Sequence, residues 1–168
     1  MDIEPGYVGF SRSPDLMGKL IRLGEHLSGG VGEVNHMFVL DENERVIQAE
    51  MRGVTNRMFL SDLREINESV TIVKPPPEVR LSDVVKFANS QVGICYGLWT
   101  DVGIGIDMVT WQWVPALRGA RKPSWICSAL GGESLRFGGW LNNCIDIYTR
   151  TPQQVKDALL TSGGVVVG

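Results

Sequence analysis

The stretch Val34 to Met51, VNHMFVLDENERVIQAEM, decides how the rest of the chain is read. Met37 and Val39, then Ile47 and Ala49, fall on one face at period two, so the segment predicts two strands. Between them Asp41-Glu42-Asn43-Glu44-Arg45 is polar and short enough to connect a hairpin. Pairing Leu40 with Val46 sets Val39 against Ile47, Met37 against Ala49 and His36 against Glu50. That register matches apolar with apolar. It also sets an imidazole beside a carboxylate at the open end of the hairpin. A base held by an orienting acid serves nucleophilic catalysis. The same pair is also what a solvated strand end would carry, and the hairpin alone does not separate the two.

Outward from the hairpin, the chain punctuates itself. Tyr7 to Ser11 reads as a short strand after the Pro5-Gly6 turn. Ser13-Pro14 starts a helix whose apolar residues Leu16, Leu20, Ile21, Leu23 and Leu27 recur at helical spacing. His26 falls in its last turn and reads as a solvated or dipole-facing residue. After the hairpin, Leu60 to Ile66 reads as a short helix or turn, with Ser61 as its cap. Val70 to Val73 predicts a strand, closed by three prolines. Ser82 predicts the cap of another helix, ending before Gly93. Thr151-Pro152 opens a last helix through Leu160, and the glycines and valines beyond it read as a strand or a loose tail.

Composition narrows the class. The 168 residues carry a net charge of −3 and read as one domain, 1–168, large enough for a real core. No concentrated basic block is present, so nucleic acid is not an expected partner. The N-terminus lacks a basic region followed by an apolar run, so no signal peptide is expected. Val102 to Leu117 is the most apolar segment, but Asp107 and Gln112 interrupt it, and no membrane span is expected. Cytoplasmic placement, or carriage on a phage particle, fits that reading. Cys95, Cys127 and Cys144 make an odd set without CxxC spacing. With only His26 and His36 beside them, neither a disulfide framework, a metal site nor a cofactor is indicated.

Trp99, Trp111 and Trp113 sit among Gly and Ile in the region 98–114, as core or as the wall of an apolar cleft. Further on, Pro123-Ser124 predicts a helix start with Ser124 as N-cap and Cys127 in the first turn. Free N–H groups and the helix dipole there favour a thiolate. A buried Cys is otherwise simply a small apolar residue. Gly131 and Gly132 weaken this helix.

The order His36, Glu50, Cys127 reverses that of papain, where Cys leads. With its flanking motifs the sequence resembles the circularly permuted papain-like hydrolases of the NlpC superfamily, especially the YiiX/YaeF-like branch. Pro5 to Phe10 is similar to that group's opening strand, and Leu16 to Glu25 to its first helix. Asn35-His36 stands where its Ser-His pair stands. Val92-Gly93-Ile94-Cys95-Tyr96 resembles its Gly-x-x-Tyr stretch. Ile126 to Leu130 resembles its Cys-Ser-Glu-Leu motif, with Ala129 in place of Glu. Thr151-Pro152 resembles its closing helix start. Tyr7 departs from the usual Asp.

The resemblance implies an α+β, permuted papain-like fold, a small antiparallel sheet or half-barrel packed against helices. It implies Cys127 as nucleophile, His36 as base and Glu50 as the polar third member. The oxyanion would be held by the Cys127 N–H, with Tyr96 or another amide as second donor. Ser128 is expected to pack or cap. The implied function is hydrolysis of an amide in a peptide or acyl-amide substrate through a thioester. A non-catalytic module on the same scaffold, and an acyltransferase using the same chemistry, are the alternatives.

Overall fold

The computed structural model describes residues 3–14, 19, 32–50, 52–96, 124–140 and 147–168. The predicted helix over Leu16 to Leu27, His26, the Trp-rich region and Cys144 lie outside the described residues, apart from Lys19 in that helix.

The predicted hairpin forms with the predicted register. Strand β2 is His36–Leu40 and β3 is Arg45–Glu50, with Phe38 opposite Gln48, Val39 opposite Ile47 and Leu40 opposite Val46. Its turn is held by Asp41, whose carboxylate accepts from the N–H of Asn43 and of Arg45, both at 2.8 Å. That is how an Asp substitutes for backbone acceptors in a tight connection.

Around this hairpin an open sheet is built from β1 (Val8–Arg12), β4 (Gly53–Phe59), β5 (Ser69–Lys74) and β8 (Val165–Val166). The order is β4-β3-β2-β1-β5-β8, every pairing antiparallel. The C-terminal valines therefore form an edge strand. A separate two-stranded parallel sheet joins β6 (Cys95–Tyr96) to β7 (Ser124–Trp125). Four described helices accompany the strands: α1 (Leu60–Ile66), α2 (Leu81–Ser90), α3 (Cys127–Phe137) and α4 (Pro152–Thr161). The architecture is α+β, with an antiparallel sheet packed against helices. Among the described residues no helix is long and apolar enough to cross a membrane.

The sheet is buried on both faces. Phe10, Met37, Val39, Ile47 and Ala49 pack with Leu130 and Leu135 of α3. Tyr7, Phe38, Leu40, Val46 and Ile72 pack with Leu60 and Leu63 of α1. Burying these side chains contributes about 1.5–3 kcal/mol each, which opposes the entropy of ordering the chain. Both layers depend on close approach at glycine. A Cβ on Gly9 would stand 2.0 Å from the Phe38 ring, so β1 carries no side chain there. Gly131 brings α3 onto Met37, where a Cβ would lie 2.5 Å from Met37 Cε. The helix propensity lost at Gly131 is thus exchanged for contact with the sheet. Gly9→Ala should destabilise the fold by about 1–3 kcal/mol through overpacking, read as a lowered urea midpoint; an unchanged midpoint would contradict this packing.

Two predicted caps move by two residues, from Ser61 to Phe59 and from Ser82 to Arg80. Helix α1 starts at Leu60, and Ser61 hydroxyl turns to Asp62 Oδ1 at 3.4 Å. Helix α2 starts at Leu81, with Arg80 paired to Asp83 at 2.7 Å. The Thr151 cap is as predicted. Its Oγ1 accepts from the Gln154 N–H at 3.3 Å, and Gln154 Oε1 accepts from the Thr151 N–H at 3.2 Å.

Candidate active site

His36 opens β2, and the residue before it fixes the strand's entry. Asn35 is buried. Its Oδ1 accepts from the Ser13 N–H at 2.8 Å, its Nδ2 donates to the Ser13 carbonyl at 2.9 Å, and its N–H donates to the Ser11 carbonyl at 3.0 Å. One amide so satisfied clamps β1 to the start of β2. From the other side Gln153 Oε1 of α4 accepts from the Val34 N–H at 3.2 Å. The backbone leading into His36 is held at both flanks.

Glu50 ends β3 and, by extension of the register, faces His36. The two side chains nevertheless communicate through a third. His36 Nε2 lies 2.8 Å from Gln48 Oε1, and Gln48 Nε2 donates to Glu50 Oε1. Met58 Sδ lies 4.0 Å from the same amide nitrogen. Gln48 is 2 % exposed, so this amide exchanges its hydrogen bonds with protein groups, not with bulk water. The sequence reading left Gln48 unassigned. The signal for it was present: Gln48 shares a face with Phe38 and Leu40, and two apolar residues on that face mark it as covered.

Cys127 is the first residue of α3. The predicted cap at Ser124 is displaced because Ser124 and Trp125 pair with Cys95 and Tyr96, and a paired extended residue cannot begin a helix. The extended backbone runs on to Ile126, at φ −98° and ψ 159°. Leu130 N–H donates to the Ile126 carbonyl at 2.9 Å. The N–H groups of Cys127, Ser128 and Ala129 therefore have no acceptor within the helix. No acidic residue occupies that first turn. An anion formed at Cys127 would meet the positive end of the helix dipole. The Cys127 side chain is 6 % exposed, whereas Cys95 is exposed and also a free thiol.

The helix runs antiparallel to β2, which sets its Cys127 end beside the start of that strand. At the far end, Arg80 N–H donates to the Gly138 carbonyl at 2.8 Å, Leu81 lies on Gly6, and Gly6 N–H donates to the Leu40 carbonyl at 2.8 Å. Near its middle Gly131 lies on Met37. At the near end, Ser128 Oγ donates to the Arg150 carbonyl at 2.7 Å, three residues before the Gln153 that holds Val34. At 1.5 Å per residue, Cys127 stands about 6 Å beyond Gly131 along the axis. A second route through the fold leads to the same end. Glu50 pairs with Gly53, Val54 N–H donates to the Ile94 carbonyl at 2.8 Å, and Cys95 pairs with Ser124. His36, Gln48 and Glu50 share the Phe38 face by alternation, while α3 covers the Met37 face. Thiol and imidazole therefore belong to the same end of the sheet and to opposite faces of it.

Tyr96 occupies β6 as the register partner of Trp125, two residues before Cys127. Ser128 is occupied by its bond to Arg150, as expected of a packing residue. Among the described residues no group of three or more His, Cys, Asp and Glu could hold a metal ion. His36 and Glu50 are separated by the Gln48 amide, whose NH2 is not a metal ligand.

This arrangement defines an α+β protein with a helix-borne cysteine at the end of a sheet that carries a His–Gln–Glu row. Its fold is shared with the crystal structure of the metalloprotein yiiX from Escherichia coli O157:H7. The likeness has a TM-score of 0.64 at 14% sequence identity and covers 100% of this chain and 98% of that one. No family model matches the sequence, and no curated protein matches it significantly.

Proposed function

We propose that this chain is a cysteine hydrolase of the permuted papain-like, NlpC-related type, acting on the amide bond of a peptide or acyl-amide. The observation that supports the reading is that both groups belong to one end of the sheet. A thiol begins a helix there, and an imidazole opens the strand that the helix packs along.

Gln48 engages Nε2, and in this reading Nδ1 takes the thiol proton. The Cys127 thiolate attacks the amide carbonyl carbon, and the oxyanion is met by N–H groups of the first turn of α3. The imidazolium returns the proton to the departing amine, leaving a thioester on Cys127. Water, deprotonated by the same imidazole, then attacks the thioester, and the acid leaves as the thiol is restored. An amine in place of water would complete acyl transfer by the same steps.

The test is the pH dependence of alkylation at each cysteine, using a small reagent and mapped by mass spectrometry. Burial pushes a thiol toward its neutral form, and the helix terminus and His36 act against it. Cys127 is expected to react at pH values well below the roughly 8.5 of a free thiol, with Cys95 as the exposed internal reference. A Cys127 that is inert, or no faster than Cys95, would sink the proposal and favour a binding module on this scaffold.

A further inference from the structure

We propose that Glu50 is a positioning residue that acts on His36 through the Gln48 amide, selecting which ring nitrogen is the base. The consequence for catalysis rests on the hydrolase reading; the hydrogen-bond logic does not.

An amide has two ends of opposite character, and a carboxylate only accepts. Glu50 therefore draws the NH2 end of Gln48 toward itself, and Met58 Sδ, a weak acceptor beside the same nitrogen, favours the same orientation. The carbonyl end is then committed to His36, 2.8 Å from Nε2. A carbonyl oxygen also only accepts, so Nε2 must carry the hydrogen. A neutral imidazole holds one N–H, so Nδ1 keeps the lone pair. The carboxylate thus fixes the amide, and the amide fixes the tautomer. Gln48 is buried and cannot turn to water for the alternative arrangement. When the ring takes a proton at Nδ1, the bond from Nε2 to Gln48 is kept, so the row needs no rearrangement during proton transfer.

Replacing the carboxylate by an amide removes the bias. In Glu50→Gln, residue 50 presents either an acceptor or a donor, and Gln48 fits in both orientations. Gln48 then satisfies Nε2 either as donor or as acceptor. The reverse exchange restores the bias. With Gln48→Glu and Glu50→Gln together, a carboxylate faces Nε2 directly and its other oxygen accepts from the new amide.

The chain contains only two histidines, so ring nitrogen spectra of the 15N-labelled protein are simple, and a His26→Gln variant assigns them. At about pH 9.5, above the usual imidazole range and above the upward pull of a thiolate partner, the native protein is expected to show His36 as the Nε2–H form alone. Glu50→Gln should let an Nδ1–H form appear beside it and slow Cys127 alkylation in proportion to the basic Nδ1 lost. The double exchange should return the single Nε2–H form. An Nδ1–H ring in the native protein, or a folded Glu50→Gln with an unchanged tautomer, overturns the inference. Should Glu50→Gln fail to fold, the native tautomer and the double exchange decide. The hydrolase reading is judged separately. An Nε2–H ring beside an inert Cys127 keeps this positioning and discards the hydrolase, and an Nδ1–H ring beside a reactive Cys127 does the opposite.

Discussion

Cys127→Ala is expected to abolish amide hydrolysis and thioester formation while leaving the protein folded. Where a residue forms the covalent intermediate, its removal costs on the order of 10⁶ in turnover, and only the acceleration from binding and oxyanion contacts survives. The effect on stability is far smaller. The side chain is buried but ends in a single sulfur, and Ala fits every backbone angle at a helix start. A loss of about 1 kcal/mol is the scale for deleting one buried apolar group. The assay is amine release from a panel of peptides and acyl-amides, run beside thermal unfolding and intact-mass detection of the acyl-enzyme. A variant that retains turnover would remove Cys127 from the mechanism. A variant that loses turnover by unfolding would make the cysteine structural. Ser128 offers no escape route for activity, because its hydroxyl already donates to the Arg150 carbonyl and ties α3 to the segment that begins α4.

The parts of this site that were legible in the sequence are those set by local pattern. Alternation in Met37-Phe38-Val39-Leu40 and Val46-Ile47 fixed the hairpin register, because a slip of one residue would turn every apolar side chain to the wrong face. Thr151-Pro152 carried its own cap chemistry. The parts that were not legible depend on partners distant in sequence. Ser124 looks like a helix cap, but pairing with Cys95 keeps its backbone extended and moves the helix start to Cys127. Gly131 looks like a weakness in a helix, and only its contact with Met37 shows that a larger residue would hold α3 off the sheet. Gln48 looks like the outward member of an alternating strand. It is inward-facing on the second side, because α1 and the residues around Phe38 cover that face too. Glu50 was legible as a neighbour of His36, but the amide standing between them was not.

His36→Ala should remove the reactivity advantage of Cys127 while leaving its helix intact, and the size of that loss separates the two influences on the thiol. The helix terminus acts through backbone N–H groups and dipole, worth about 0.3–1 kcal/mol for a charge near the end, or less than tenfold in thiolate population. Pairing with an imidazolium is worth more, since cysteines paired this way reach pKa values of about 3–4 in the strongest cases. Alkylation of Cys127 near pH 6.5 should therefore fall by more than tenfold in His36→Ala, and the rate should rise again only as the pH approaches the ordinary thiol range of about 8.5. The sign follows from the pair: below the thiol's lowered titration both partners are protonated, above the imidazolium's titration the ring is neutral, between the two the thiolate–imidazolium form persists, and the variant lacks that window altogether. Turnover should fall by at least as much as reactivity, because the leaving amine also loses its proton donor. Glu50→Gln should cost less than His36→Ala on both measures, since it redistributes a tautomer without deleting the base. If His36→Ala leaves the pH profile of Cys127 unchanged, the thiol and the ring do not meet around the end of the sheet. The row His36–Gln48–Glu50 would then be a buried polar brace across β2 and β3, and α3 would present its cysteine to a different partner.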